Sequence, residues 1–183
     1  MLREATAAIH AASPELWLPG YTRQPHLTVH LCGFPGAYPS RADDYAPADF
    51  ARQCATLCQA RPEPFVLEIG RVDSFSSAAY FSVQDATGRI AKLRQILAEA
   101  APGVDGGAFT PHVTIGLYRA ARPLVEVLAS LRRVELLLPL PVEVRGLSLM
   151  AYEAAVIGGR LHTLARYELG ADQLAASAND IFS

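Results

Sequence analysis

Residues 25–31 read Pro25-His26-Leu27-Thr28-Val29-His30-Leu31, and residues 111–117 read Pro111-His112-Val113-Thr114-Ile115-Gly116-Leu117. Four of the seven positions are identical and two more are conservative. The chain has five histidines, and two of them, His26 and His112, fall at the same place in this repeat. Alternating side chains in a strand send His26 and Thr28 one way and Leu27, Val29 and Leu31 the other. His112 and Thr114 divide in the same manner from Val113, Ile115 and Leu117. The aliphatic faces predict core; the His-Thr faces predict surface or a lined groove. Proline donates no ladder hydrogen bond, so Pro25 and Pro111 suit strand starts.

Working outward from the repeat, the pattern predicts a helix over 2–12, a loop marked by Pro14, Pro19 and Gly20, and a strand over 26–33. A long loop over 33–47 and a helix over 48–60 follow, the helix stopped by Pro62 and Pro64. Two β-rich runs cover 65–72 and 78–84, and an amphipathic helix covers 87–100. The second half repeats the order, with a strand at 112–118 and a helix at 123–134 begun by Pro123. Strands at 142–151 and 160–169 then meet at a turn near Gly158-Gly159. The last dozen residues read as a short helix or a frayed tail. Each half thus holds a repeat strand, a helix and a hairpin, which predicts an α+β fold of two similar lobes. No linker divides them, so residues 1–183 are expected to form a single domain.

Composition narrows the function. The chain has 183 residues, 51% of them hydrophobic, and a net charge of −2. A sizeable core is expected, and a protein that coats long nucleic acid is not, because such binding needs many cations. A small phosphate ligand needs only a few donors. Lys92 is the one lysine among 16 basic residues. Arginine suits bidentate phosphate contacts, although a compositional bias of the genome is the better explanation of the preference. Cys32, Cys54 and Cys58 form neither a disulfide framework nor a paired zinc spacing. The N-terminal MLREATAAIHAAS lacks the apolar region of a secretory signal, and no run approaches 18 apolar residues. A cytoplasmic monomer away from membranes is expected.

Two similar lobes can face each other across a pseudo-twofold axis, so that both His-x-Thr faces line one groove. Two imidazoles near pKa 6.5 then serve as general base and general acid at neutral pH. Two threonine hydroxyls donate to phosphate oxygens. Such a layout opens a phosphodiester without a metal or other cofactor. A zinc site is the rival, since His26 and His30 share a strand face. At about 3.3 Å per residue they stand ~13 Å apart, while zinc needs ligand nitrogens within ~2.1 Å. His30 is therefore expected as a wall of the groove.

The paired motifs HLTV at 26–29 and HVTI at 112–115 resemble those of the 2H phosphoesterase superfamily, and its bacterial 2′-5′ RNA ligase and RNA 2′,3′-cyclic phosphodiesterase branch in particular. The resemblance covers about residues 25–169, because FVLEIGRVDSF, AAYFSV, GLSLMAYE and LHTLARYELG look like that family's hairpins. It implies a bilobal fold with two antiparallel sheets lining a central cleft and helices outside. It implies hydrolysis of 2′,3′-cyclic phosphates to 2′-phosphates, possible 2′-5′ ligation in reverse, and a substrate that is an RNA end or a small nucleotide. It implies catalysis by His26 as acid and His112 as base, with Thr28 and Thr114 on the phosphate. The family opens with a strand before its first helix, and residues 1–24 show none.

Further substrate-contact candidates come from position. Tyr118 has even spacing from His112 and is expected to project into the groove and stack a base or ribose. Arg23 precedes the first motif and Arg119 follows the second. Tyr152 and Phe34 are looser aromatic candidates. The doubled motif leaves three classes open: a cyclic phosphodiesterase acting on RNA ends or on other nucleotides, a binding module for phosphorylated ends, and a pseudo-repeat with no ligand.

Overall fold

In the computed structural model, the aliphatic face of the second repeat is core: Val113 and Ile115 are buried at 4% and 0% exposure. The structure describes residues 1–38, 40–104, 107–131, 139–171 and 173–176. In chain order these form α1 (Leu2–Ala12), β1 (Phe34–Pro35), β2 (Asp44–Tyr45), α2 (Pro47–Ala60), β3 (Phe65–Ser74), β4 (Ala78–Gln84), α3 (Arg89–Ala100) and β5 (His112–Leu117). Then come α4 (Leu124–Leu131), β6 (Leu140–Val144), β7 (Gly146–Ala151), β8 (His162–Glu168) and β9 (Gln173–Ala176).

Local chemistry explains the helix ends. Pro47 opens α2, where a missing N–H is harmless, and the Asp49 carboxylate accepts the Ala46 N–H at 2.8 Å. Asp85 does the same for α3 by accepting the Ile90 N–H at 2.7 Å. The inward face of α3 carries Ile90, Leu93 and Ile96, all buried.

Two antiparallel sheets carry the fold, one ordered β5-β4-β3-β6 and the other β7-β8-β9; β1 and β2 form a separate short parallel pair. The second repeat strand, β5, pairs with the hairpin β3–β4 of the first half. The main core under this sheet joins Ile9, Trp17, Phe81, Ile90, Ile115 and Tyr167. A smaller cluster of Tyr45, Phe50 and Ala165 lies with the second sheet.

The expected strand at 142–151 is two strands. The chain leaves the first sheet after Val144 and enters the second at Gly146. A side chain at Gly146 would meet the Tyr167 carbonyl at 2.8 Å, so glycine lets the strands close at the crossing. Pro141 lies in β6, an edge strand, where proline interrupts no inner ladder. The expected helix at 123–134 is helical over Leu124–Leu131, and residues 132–134 lie outside the described residues. The tail contributes β9, paired with β8, rather than a helix; residues 177–183 lie outside the described residues.

The first repeat departs most from expectation. Residues 26–33 join no ladder among the described residues, and regular strand begins only at Phe34. Their neighbourhood is served piecemeal instead. Thr22 and Arg23 both donate N–H to the Gly158 carbonyl, Val104 donates to Leu31, and Arg94 reaches Val29. The Gln24 carboxamide stands in for a peptide, donating to the Leu161 carbonyl at 3.0 Å and accepting the Leu161 N–H at 2.9 Å. Partners from separate elements satisfy the chain without forming a ladder, which β propensity alone cannot foresee. The side-chain pattern survives: Leu27 and Val29 pack on the main core and Thr28 is exposed. Among the described residues, the N-terminal region supplies a single bridge, Trp17 to Tyr118, flanked by bonds from Leu18 to Leu117 and from Arg119 to Leu16.

Candidate active site

The two repeat histidines are held in the same way. His26 Nδ1 lies 2.8 Å from the Gln24 carbonyl, and His112 Nδ1 lies 2.8 Å from the Thr110 carbonyl. A carbonyl only accepts, so Nδ1 carries the proton in each ring and Nε2 is left to exchange protons with a substrate. Both tethering carbonyls belong to the residue before a proline, Pro25 or Pro111. The proline fixes the bend that folds each imidazole back on its own chain. The repeat therefore encodes a tautomer as well as a residue.

Burial pushes the His26 pKa below the usual imidazole value; the Gln24 carbonyl opposes this, and the charges of Arg23 and His112 add to it. Arg23 is itself fixed: its Nε–H donates to the Gly159 carbonyl at 3.0 Å, and its guanidinium lies 4.3 Å from the centre of the Tyr152 ring. His112 sits in an aromatic corner. Phe75 and Tyr80 stack on each other at 4.1 Å, and each meets the His112 ring edge-on, at 5.0 and 5.6 Å. Ladder pairing puts His112 opposite Ser82 and Thr114 opposite Tyr80, so these four share one face of the sheet.

The sequence model of the 2′-5′ RNA ligase superfamily matches residues 4–155. The chain belongs to this superfamily, that of the 2H phosphoesterases. The superfamily fold is found in solved structures that resemble it. A crystal structure of a phosphoesterase shares 19% identity, covering 91% of this chain and 92% of that one, with a TM-score of 0.56. The Thermus thermophilus protein TT0787 shares 19%, covering 93% and 94%, with a TM-score of 0.57. E. coli LigT solved with 3′-AMP shares 18%, covering 91% of each chain, with a TM-score of 0.56. No curated protein matches the chain.

The other candidates of this 2H phosphoesterase distribute unevenly. Tyr118 does not project into the groove. Gly116 pairs with Ala79 but Thr114 pairs with Tyr80, so Ile115 is an extra residue in the ladder. A one-residue bulge inverts every later side chain. Tyr118 accordingly packs toward the core against Trp17, and its hydroxyl bonds Ser74 Oγ at 2.7 Å. His30 lines a concavity of about 400 Å³ with Arg94, Gln95, Ala98, Pro102 and Gly103. Arg119 is exposed past the end of β5, and Phe34 is exposed in β1. Tyr152 is half-exposed beneath Arg23.

Phe75 and Tyr80 escaped the sequence reading. The alternation Tyr80-Phe81-Ser82-Val83 carried part of the signal, since it separates an inward pair from an outward pair. What it lacked was the identity of the neighbouring strand.

Proposed function

We propose that the protein is a phosphodiesterase that opens 2′,3′-cyclic phosphate ends of RNA or nucleotides to 2′-phosphates by two-histidine acid–base catalysis, without a metal. Support comes from one observation above all: both repeat histidines carry the same Nδ1 tether, which leaves two Nε2 atoms for proton transfer. His112 Nε2 takes a proton from water as its oxygen attacks phosphorus. The P–O3′ bond breaks, and His26 gives its proton to the departing O3′. Thr28 and Thr114 donate hydroxyl hydrogen bonds to the phosphate oxygens as negative charge builds on them. Arg23 stands beside His26 as a further cation for the phosphate. The bound phosphate anion also offsets the positive neighbours of His26 and restores its proton for the acid role. The reverse reaction, 2′-5′ joining, uses the same groups.

Solved structures of LigT with 3′-AMP, ATP and NADP+ make a small nucleotide a reasonable first substrate. We place the protein in the cytoplasm as a monomer and a single domain. No helix among the described residues is long and apolar enough to cross a membrane.

The test is hydrolysis of a 2′,3′-cyclic nucleotide in EDTA, followed by phosphorus NMR. Wild type is expected to yield the 2′-phosphate. His26→Ala and His112→Ala are each expected to lower kcat by about 10²–10⁴-fold, the usual worth of one acid or base. Tight binding of cyclic and terminal phosphates with no turnover would replace the enzyme with a binding module.

A further inference from the structure

Arg94 lies on α3, outside both motifs, yet it touches the chain beside each of them. Its Nη1–H donates to the Val29 carbonyl at 2.5 Å, one residue after Thr28 and three after His26. Its guanidinium carbon lies 3.8 Å from the centre of the Phe109 ring. Phe109 precedes Thr110, whose carbonyl holds His112 Nδ1. The first motif joins no ladder among the described residues, so its position rests on separate contacts of this kind. Helix α3 is firmly seated, with Ile90, Leu93 and Ile96 buried on its inward side.

We propose that Arg94 is a positioning residue that braces the two histidine motifs against each other, gripping the first through the Val29 carbonyl and the second through the face of Phe109. The guanidinium suits the task because it is planar: it donates in its own plane while its face stacks on an aromatic ring. A lysine can donate to Val29 but cannot stack in this way. The inference rests on the proposed two-histidine reaction, since only a shared phosphate makes the spacing of His26 and His112 matter. A displacement of about 1 Å at such a site is worth up to ~10²-fold in rate.

Two measurements test it. The first is kinetic, with a 2′,3′-cyclic nucleotide. Arg94→Ala is expected to lower kcat about 10- to 100-fold, with KM changing less than about threefold, because positioning is lost while phosphate contacts remain. Arg94→Lys and Phe109→Leu, milder changes suited to a case where Arg94→Ala fails to fold, are each expected to show a smaller loss of the same kind. Their losses are not additive, because both disturb one stacked pair.

The second measurement is NMR titration of the histidine rings, which needs no turnover. His112→Ala is expected to raise the His26 midpoint in the wild-type background, and to raise it less when Arg94 or Phe109 has been substituted. Full-sized coupling in the folded variants, or unchanged kcat, overturns the brace. If wild type turns over no cyclic phosphate while the coupling still shrinks in the variants, the brace stands and the proposed reaction falls.

Discussion

At the scale of single residues, the site is an exercise in proton placement. An isolated imidazole has two nitrogens of similar basicity, and catalysis needs one of them committed elsewhere. The Gln24 and Thr110 carbonyls make that commitment. One break of the pH–rate profile follows from His26, which as the proposed acid acts in its protonated form. Burial first, and then Arg23 and His112, disfavour its charged form, so its free-enzyme pKa lies below the ordinary imidazole value. That break in kcat/KM is therefore expected below about pH 6.5, the reference imidazole value. Arg23→Met removes one of the opposing charges, so the break should move upward; an unmoved break would show that Arg23 does not act on His26.

At the scale of elements, β5 shows how one extra residue divides a strand between two tasks. Before Ile115, the outward face holds His112 and Thr114. After it, the inversion turns Tyr118 inward onto Trp17. The bulge is held by α1 and the segment after it. His10 Nε2–H donates to the Ile115 carbonyl at 2.9 Å, and the His10 ring stacks on Trp17 at 4.5 Å. Gly116 makes room for both: a Cβ there would lie 2.8 Å from Trp17 and 2.9 Å from His10. Gly116→Ala should thus cost about 1–3 kcal/mol, the usual penalty of overpacking. Urea denaturation would measure it, and a cost below ~0.5 kcal/mol would mean that the stack yields freely.

At the scale of the whole molecule, the two halves are joined by exchange. The second-half strand β5 completes the first-half sheet, and the chain crosses between sheets at Gly146. Phe81, fully buried and paired with Val113, sits where both halves meet. Phe81→Ala should lower stability by about 3–5 kcal/mol, the range for deleting a core aromatic ring. Thermal unfolding followed by circular dichroism would reveal it; a fall in Tm of less than ~5 °C would imply that the core relaxes around the cavity.

Much of this was legible in the chain itself. The doubled Pro-His-x-Thr marked the two histidines that share one backbone tether, and periodicity placed α1, α2, α3 and the β3–β4 hairpin near their observed bounds, because those elements bury one face through local spacing. The single strand read over 142–151 missed the sheet change at Gly146, and the strand read over 26–33 missed how its backbone is served. Neither has a local signature, since each depends on which distant groups arrive as partners. The bulge at Ile115, which moved Tyr118, and the aromatic corner of Phe75 and Tyr80 depend likewise on the register between β4 and β5. The sequence by itself determined where the titratable imidazoles lie and which faces are apolar, for these follow from residue type and from periods of 2 and 3.6. Only the tertiary structure decided which of them meet, because register, crossing and the grip of Arg94 are set by contacts between residues far apart in the chain.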